Sequence, residues 1–130
     1  MAHAIVEWTS NLEGTADIHG LLQLIARHMR EAGDVFPWGG IRVRAIRLDD
    51  YVIADDRGED AFVHITVKMG AGRPASFKKT FYNELFEAIK AHFSELYVRR
   101  SLALSLYVEE PDPAYSYKHN NIHLRLRQSG

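Results

Sequence analysis

A chain of 130 residues, 46% hydrophobic and 25% charged, has the length and composition of one compact domain over 1–130, which excludes disorder and collagen-like structure. Sixteen basic residues against seventeen acidic ones leave a formal charge of −1, too little for a global field that would hold nucleic acid or an anionic membrane surface. No cysteine is present and no apolar run approaches the roughly 18 residues of a membrane span, so disulfides, thiolate chemistry and a spanning helix are excluded and a cytoplasmic setting is expected.

His3 to Trp8 alternates with the period of a strand, Ala4, Val6 and Trp8 on one face and His3, Ile5 and Glu7 on the other. Turn residues follow, and Thr15 or Asp17 can cap a helix carrying Leu21, Leu22, Ile25 and Met29, with Gly33 as its expected terminator. After Phe36-Pro-Trp-Gly-Gly40, Ile41 to Leu48 reads as a second strand with Arg42 and Arg44 on one face. The pattern slips near Ala45, which predicts a bulge. The acidic stretch Asp49 to Asp60 reads as a solvated loop or hairpin tip.

Ala61 to Met69 is the clearest strand, with Ala61, Val63, Ile65, Val67 and Met69 inward. Pro74 is expected as the first helical residue, and Phe77, Phe81, Leu85, Ile89, Phe93 and Leu96 form one apolar stripe of a long helix. Leu102, Leu104, Leu106 and Val108 alternate as a fourth strand before Glu109-Glu-Pro-Asp-Pro113 interrupts it, and the tail has some strand character. The order strand, helix, strand thus occurs twice, displaced by about 60 residues. The fold class is α+β: a doubled β-α-β unit giving a four-stranded mixed sheet with two helices on one face. Ile5, Phe62, Ala103 and Tyr107 fall on the uncovered face, which predicts packing against further subunits.

Four blocks, His3-Ala-Ile-Val-Glu7, Phe36-Pro-Trp-Gly-Gly-Ile-Arg-Val-Arg44, Ala61-Phe-Val-His-Ile-Thr-Val-Lys-Met-Gly-Ala-Gly-Arg73 and Tyr117-Lys-His-Asn-Asn-Ile-His123, resemble the 5-carboxymethyl-2-hydroxymuconate isomerases of the tautomerase superfamily, in order and spacing over nearly the whole chain. The resemblance implies a homotrimer that shifts a proton without cofactor or metal in homoprotocatechuate breakdown, on a dienol carrying several carboxylates. It also implies a base that is the amine of an N-terminal proline exposed by loss of the initiator methionine, and an arginine, here Arg42, that holds a substrate carboxylate. A guanidinium suits that task because its planar fork is bidentate and keeps its proton. Position 2, where the family has proline, is Ala2. Alanine exposed by loss of Met1 still offers a primary amine, whereas retained Met1 makes the Ala2 nitrogen an amide.

Beside Ala2 and Arg42 as catalytic candidates, Arg44 lies on the same strand face as Arg42 and is a second candidate anion contact, with a solvated strand arginine as the alternative. Arg73 follows a Gly-Ala-Gly turn at a helix start, where amides and a cation can hold an anion together. Lys118 and the tail are candidates for closing a neighbouring subunit's pocket, with a tail that merely clamps the trimer as the alternative. His119 and His123 have the spacing of helical metal ligands, but Asn-Asn-Ile is poor helix and no carboxylate completes the set, so structural hydrogen bonding is expected instead. His3 and His64 read as satisfied or interfacial histidines. Three readings stay open: an active isomerase, a carboxylate-binding family member without the strong base, and a broader tautomerase of small 2-keto acids.

Overall fold

The computed structural model describes residues 1–129. Strands β1 (Ala2–Thr9), β2 (Ile41–Leu48), β3 (Ala61–Lys68) and β4 (Leu102–Glu109) form one mixed sheet in the order β2-β1-β3-β4. Helix α1 (Ile18–Arg30) connects β1 to its parallel neighbour β2, while α2 (Ala75–His92) and α3 (Ser94–Arg99) connect β3 to its parallel neighbour β4. The two halves join through antiparallel β1 and β3. The doubled β-α-β architecture expected from the sequence is therefore present.

Alternation decides which face of the sheet is covered. Ala2, Ala4 and Val6 of β1 and Ala61, Val63, Ile65 and Val67 of β3 are buried with Leu21, Ile25 and Met29 of α1 and Leu85 and Ile89 of α2 in one core. Each fully buried side chain of this size contributes about 1.5–3 kcal/mol of transfer free energy. The intervening residues form rows on the helix-free face, among them Arg42, His3, Lys68 and Glu109, then Arg44, Ile5, Thr66 and Tyr107. Tyr107 is 66% exposed and packs edge-on against His64, whose Nδ1 lies 2.6 Å from Ser105 Oγ.

Several local expectations change. Asp17, not Thr15, caps α1, its Oδ1 accepting from Gly20 N at 2.9 Å, and the helix ends at Arg30 rather than at Gly33, whose φ of +78° instead opens a 3-10 turn. No bulge interrupts β2: its pairing with β1 is one-to-one from Ala2↔Ile41 to Thr9↔Leu48. The apparent slip is Ile46, an apolar residue that stands on the helix-free face, 47% exposed. Residues 49–60 are not a hairpin tip, because β1 lies between β2 and β3; they are the crossover joining the two halves.

Pro74 caps α2 in an extended conformation and the helix begins at Ala75. The long apolar stripe is broken at Phe93, where φ −103° and ψ 11° separate α2 from α3, yet Phe93 and Leu96 remain buried. The tail is not strand. It makes a 3-10 turn at Pro113–Tyr115 and then α4 (Ile122–Ser129), started by Asn120 Oδ1, which accepts from Ile122 N at 2.8 Å.

Leu85→Ala is expected to lower unfolding stability by about 2–5 kcal/mol, because it empties a fully buried site, whereas Val98→Ala at an exposed position should stay within about 0.5 kcal/mol. Denaturant titration at fixed protein concentration measures both.

Candidate functional site

The start of β1 and the end of β3 lie side by side, His3 paired with Lys68. Beyond them the chain leaves β3 through Gly70-Ala-Gly-Arg73, with Gly72 at φ +102°, a backbone conformation that glycine adopts without a Cβ penalty. The segment after β4 folds back over the same end. Between them is a cavity of about 290 Å³ lined by Met1, His3, Lys68, Met69, Tyr117 and Lys118, among others, and none of its lining residues is acidic. Met69 is buried there and its sulfur accepts the Tyr82 hydroxyl at 3.1 Å. Burial, then the nearby Glu110 charge, pushes the Tyr82 phenol well above its ordinary range, so it stays a neutral donor to that sulfur.

The sequence candidates divide in this geometry. Ala2 begins β1 with its side chain in the core, 3% exposed, so its backbone nitrogen rather than its methyl group is next to Met1 at the cavity. Burial first, and then Lys118, Arg42 and Arg73, press the Met1 amine below its ordinary value of 8.0. Lys118 lines the cavity of its own chain and its Nζ donates to Ser116 Oγ at 3.0 Å. Arg42 Nη1 donates to Gly39 O at 3.1 Å, and Arg73 Nη2 donates to Val35 O at 3.3 Å. Among the described residues neither arginine is paired with a carboxylate; each is steadied by a backbone carbonyl. Arg44 is not part of this group: its Nη1 lies 3.0 Å from His3 Nδ1.

His119 precedes α4, while His123 lies in it with Nε2 3.3 Å from Asn120 Nδ2. Among the described residues no group of three His, Cys, Asp or Glu side chains gathers where a metal could sit. Asn120 also donates to Gly39 O at 2.7 Å, the carbonyl that accepts from Arg42. The tail and Arg42 are thus held by one atom. His3 and Lys68 are the cavity residues that the sequence reading did not place there; the signal was their outward parity, but only the antiparallel register makes them neighbours.

The model of the 5-carboxymethyl-2-hydroxymuconate isomerase family matches residues 2–126. The chain belongs to this isomerase family. It is similar to a 5-carboxymethyl-2-hydroxymuconate Delta-isomerase of Escherichia coli, 40% identical over 123 residues, which is 95% of this chain and 97% of the relative. Its fold matches the crystal structure of a 5-carboxymethyl-2-hydroxymuconate isomerase from Deinococcus radiodurans R1 with a TM-score of 0.90 and 40% identity, covering 97% of this chain and 94% of the other. A fused 4-OT described as a symmetric trimer shares the fold alone, at 16% identity and a TM-score of 0.63 over 85% of this chain and 88% of its own.

A Cβ at Gly39 would overlap the His123 ring. Gly39→Ala is therefore expected to dislodge the tail of this family member from the cavity, seen as faster amide hydrogen exchange over residues 120–127 while β1 and β3 stay protected.

Proposed function

We propose that the chain is a cofactor-free isomerase acting on 5-carboxymethyl-2-hydroxymuconate or a similar dienol carboxylate of aromatic catabolism. The observation that carries this reading is the cavity at the amino end of β1, lined by Met1, His3, Lys68 and Lys118 with no acidic residue in its lining, where Lys118, Arg42 and Arg73 all lower the pKa of the Met1 amine. Cations gathered without counter-charge favour a ligand with several carboxylates. In this reading the free amine at the start of β1 takes the enol proton, the negative charge spreads along the dienolate, and the amine returns a proton to a distal carbon. The amine ends as it began. Arg42 anchors a carboxylate and stabilises the developing charge, with Arg73 and Lys118 as further anion contacts.

Ala2 is the base once Met1 is removed. Burial and the same three cations would act on its amine as they act on that of Met1, favouring the neutral form that can accept a proton. Retained Met1 places the amine about 3.3 Å further along the strand and leaves an amide at Ala2, which favours the second reading, a carboxylate-binding protein of changed function. The apolar residues on the helix-free face, Ile5, Phe62 and Tyr107, support a homotrimer; a cytoplasmic setting and one tautomerase-like domain per chain complete the proposal.

Four measurements test this. Light scattering should give three times the monomer mass. Arg42→Ala should weaken a dicarboxylate and slow isomerisation about 10- to 150-fold, the range for losing a charge-assisted hydrogen bond, while Arg47→Ala, whose guanidinium sits with Glu13 and Asp49 at the far end of β2, should change little. With the N-terminus verified by mass, the rate should rise with pH as the amine loses its proton, with the midpoint of the rise below the ordinary amine value of 8.0. Ala2→Pro should raise the rate, because a ring-locked secondary amine has less freedom to lose; a correctly processed, trimeric proline variant that is no faster favours the binding-protein reading.

A further inference from the structure

His3 is the residue of this cavity whose protonation is fixed by its partner. Its Nδ1 lies 3.0 Å from Arg44 Nη1. A guanidinium has only donors and keeps its proton at any working pH, so Nδ1 must carry the lone pair and accept. The ring proton of neutral His3 is then on Nε2. Protonating Nδ1 would set one N–H against another. His64 differs here, because its partner Ser105 is a hydroxyl that donates or accepts equally well.

The surroundings of His3 agree with the neutral form. On its row of the helix-free face it stands between Arg42 of β2 and Lys68 of β3, with Glu109 of β4 beyond Lys68. Met1 and Lys118 line the same cavity. Burial first, then Arg44, Arg42, the amine and Lys68, hold the imidazole below its ordinary pKa of 6.5. Among the described residues Nε2 has no hydrogen-bond partner, although the ring lines the cavity.

We propose that His3 is a substrate-binding residue, kept by Arg44 as a neutral Nε2–H donor to an oxygen of the anion in the cavity, and that Arg44 is a positioning residue acting through it. The inference rests on reading the cavity as an anion site. A neutral donor adds what the surrounding cations lack. Lysine and arginine attract any anion, whereas one N–H of fixed tautomer favours an oxygen at one place, and it does so without adding a charge that would raise the cost of assembling Arg42, Arg73, Lys68 and Lys118. It also explains why Arg44, on the same strand face as Arg42, does not reach the cavity itself.

The test uses the full-length protein in two ways. Long-range proton–nitrogen correlation NMR, with the His3 signals assigned by their loss in His3→Gln, should show Nδ1 without and Nε2 with a proton at pH 7; an Nδ1–H tautomer overturns the proposal. Calorimetry with trans,trans-muconate, a dicarboxylate that needs no turnover, should show about tenfold weaker binding for His3→Phe, as expected for one charge-assisted hydrogen bond, and partial recovery for His3→Gln, which keeps an N–H. Arg44→Gln should let His3 take up a proton as pH falls from 7.5 to 5.5, so muconate should tighten on acidification more than in the parent protein. That extra pH dependence should vanish when His3→Gln is added. Equal binding by His3→Phe, or an Arg44→Gln effect that persists without His3, overturns the proposal, as does failure of the parent protein to bind muconate. Absence of turnover with these binding results intact overturns the isomerase reading alone.

Discussion

β1 is hydrogen-bonded along both edges, to β2 in parallel and to β3 in antiparallel register, so its alternation is pinned from two sides. A slip of one residue would carry Ala2, Ala4 and Val6 out of the core and drive His3 and Glu7 into it. Two polar side chains would then be buried without partners, at a cost of about 1–3 kcal/mol each or more for the carboxylate. The same register decides the chemistry at the strand's start. It puts the side chain of residue 2 into the core while Met1, joined to its nitrogen, lines the cavity, and it puts His3 into the row shared with Arg42 and Lys68. Core packing and site geometry are therefore two faces of one strand.

Among the described residues no carboxylate is ion-paired with the cavity's Lys68 and Lys118 or with Arg42 and Arg73 near the amino end of β1. Elsewhere some charges are paired, Lys78 with Glu110 and Arg47 with Glu13 and Asp49. Around the amino end of β1 the partners are backbone carbonyls instead: Gly39 O for Arg42 and Val35 O for Arg73. A carbonyl dipole orients a guanidinium without cancelling its charge, so the field remains available to a ligand. The arrangement costs stability through mutual repulsion, which added salt reduces by screening. An anion bound in the cavity relieves that repulsion and stabilises the folded state by mass action.

What was legible in the sequence followed from periodicity. Ala61 to Met69 and His3 to Trp8 show the two-residue period, and Phe81, Leu85 and Ile89 the helical one, because each element has one wet and one dry face. Contacts that depend on topology were not legible. A hairpin between β2 and β3 and a crossover past β1 read alike in the acidic stretch 49–60, since both are solvated. Phe93 continues the apolar stripe through a break in the helix axis, so periodicity alone hides the break. The tail looked unlike helix because Asn120 is a poor helix former, yet its side chain is what starts α4. In the candidate site, residue type and family resemblance made Arg42 a candidate, while the pairing of Arg44 with His3 comes from a diagonal neighbour across two strands, a relation that needs the register to be known.

The alanine at position 2 can be weighed in the same terms. A proline at a chain start restrains its own nitrogen through its ring, fixing the approach of the lone pair. Alanine has no such ring, but here two other restraints act on it: its Cα is paired with that of Ile41, and its methyl group is packed in the core at 3% exposure. These fix the Cα and the direction of the strand. They leave the rotation of a terminal amine about its N–Cα bond, a loss of one soft torsion rather than of the position. The difference between the two residues thus lies in the last bond of the strand, and the surrounding cations, the cavity and the His3–Arg44 pair are the same for either.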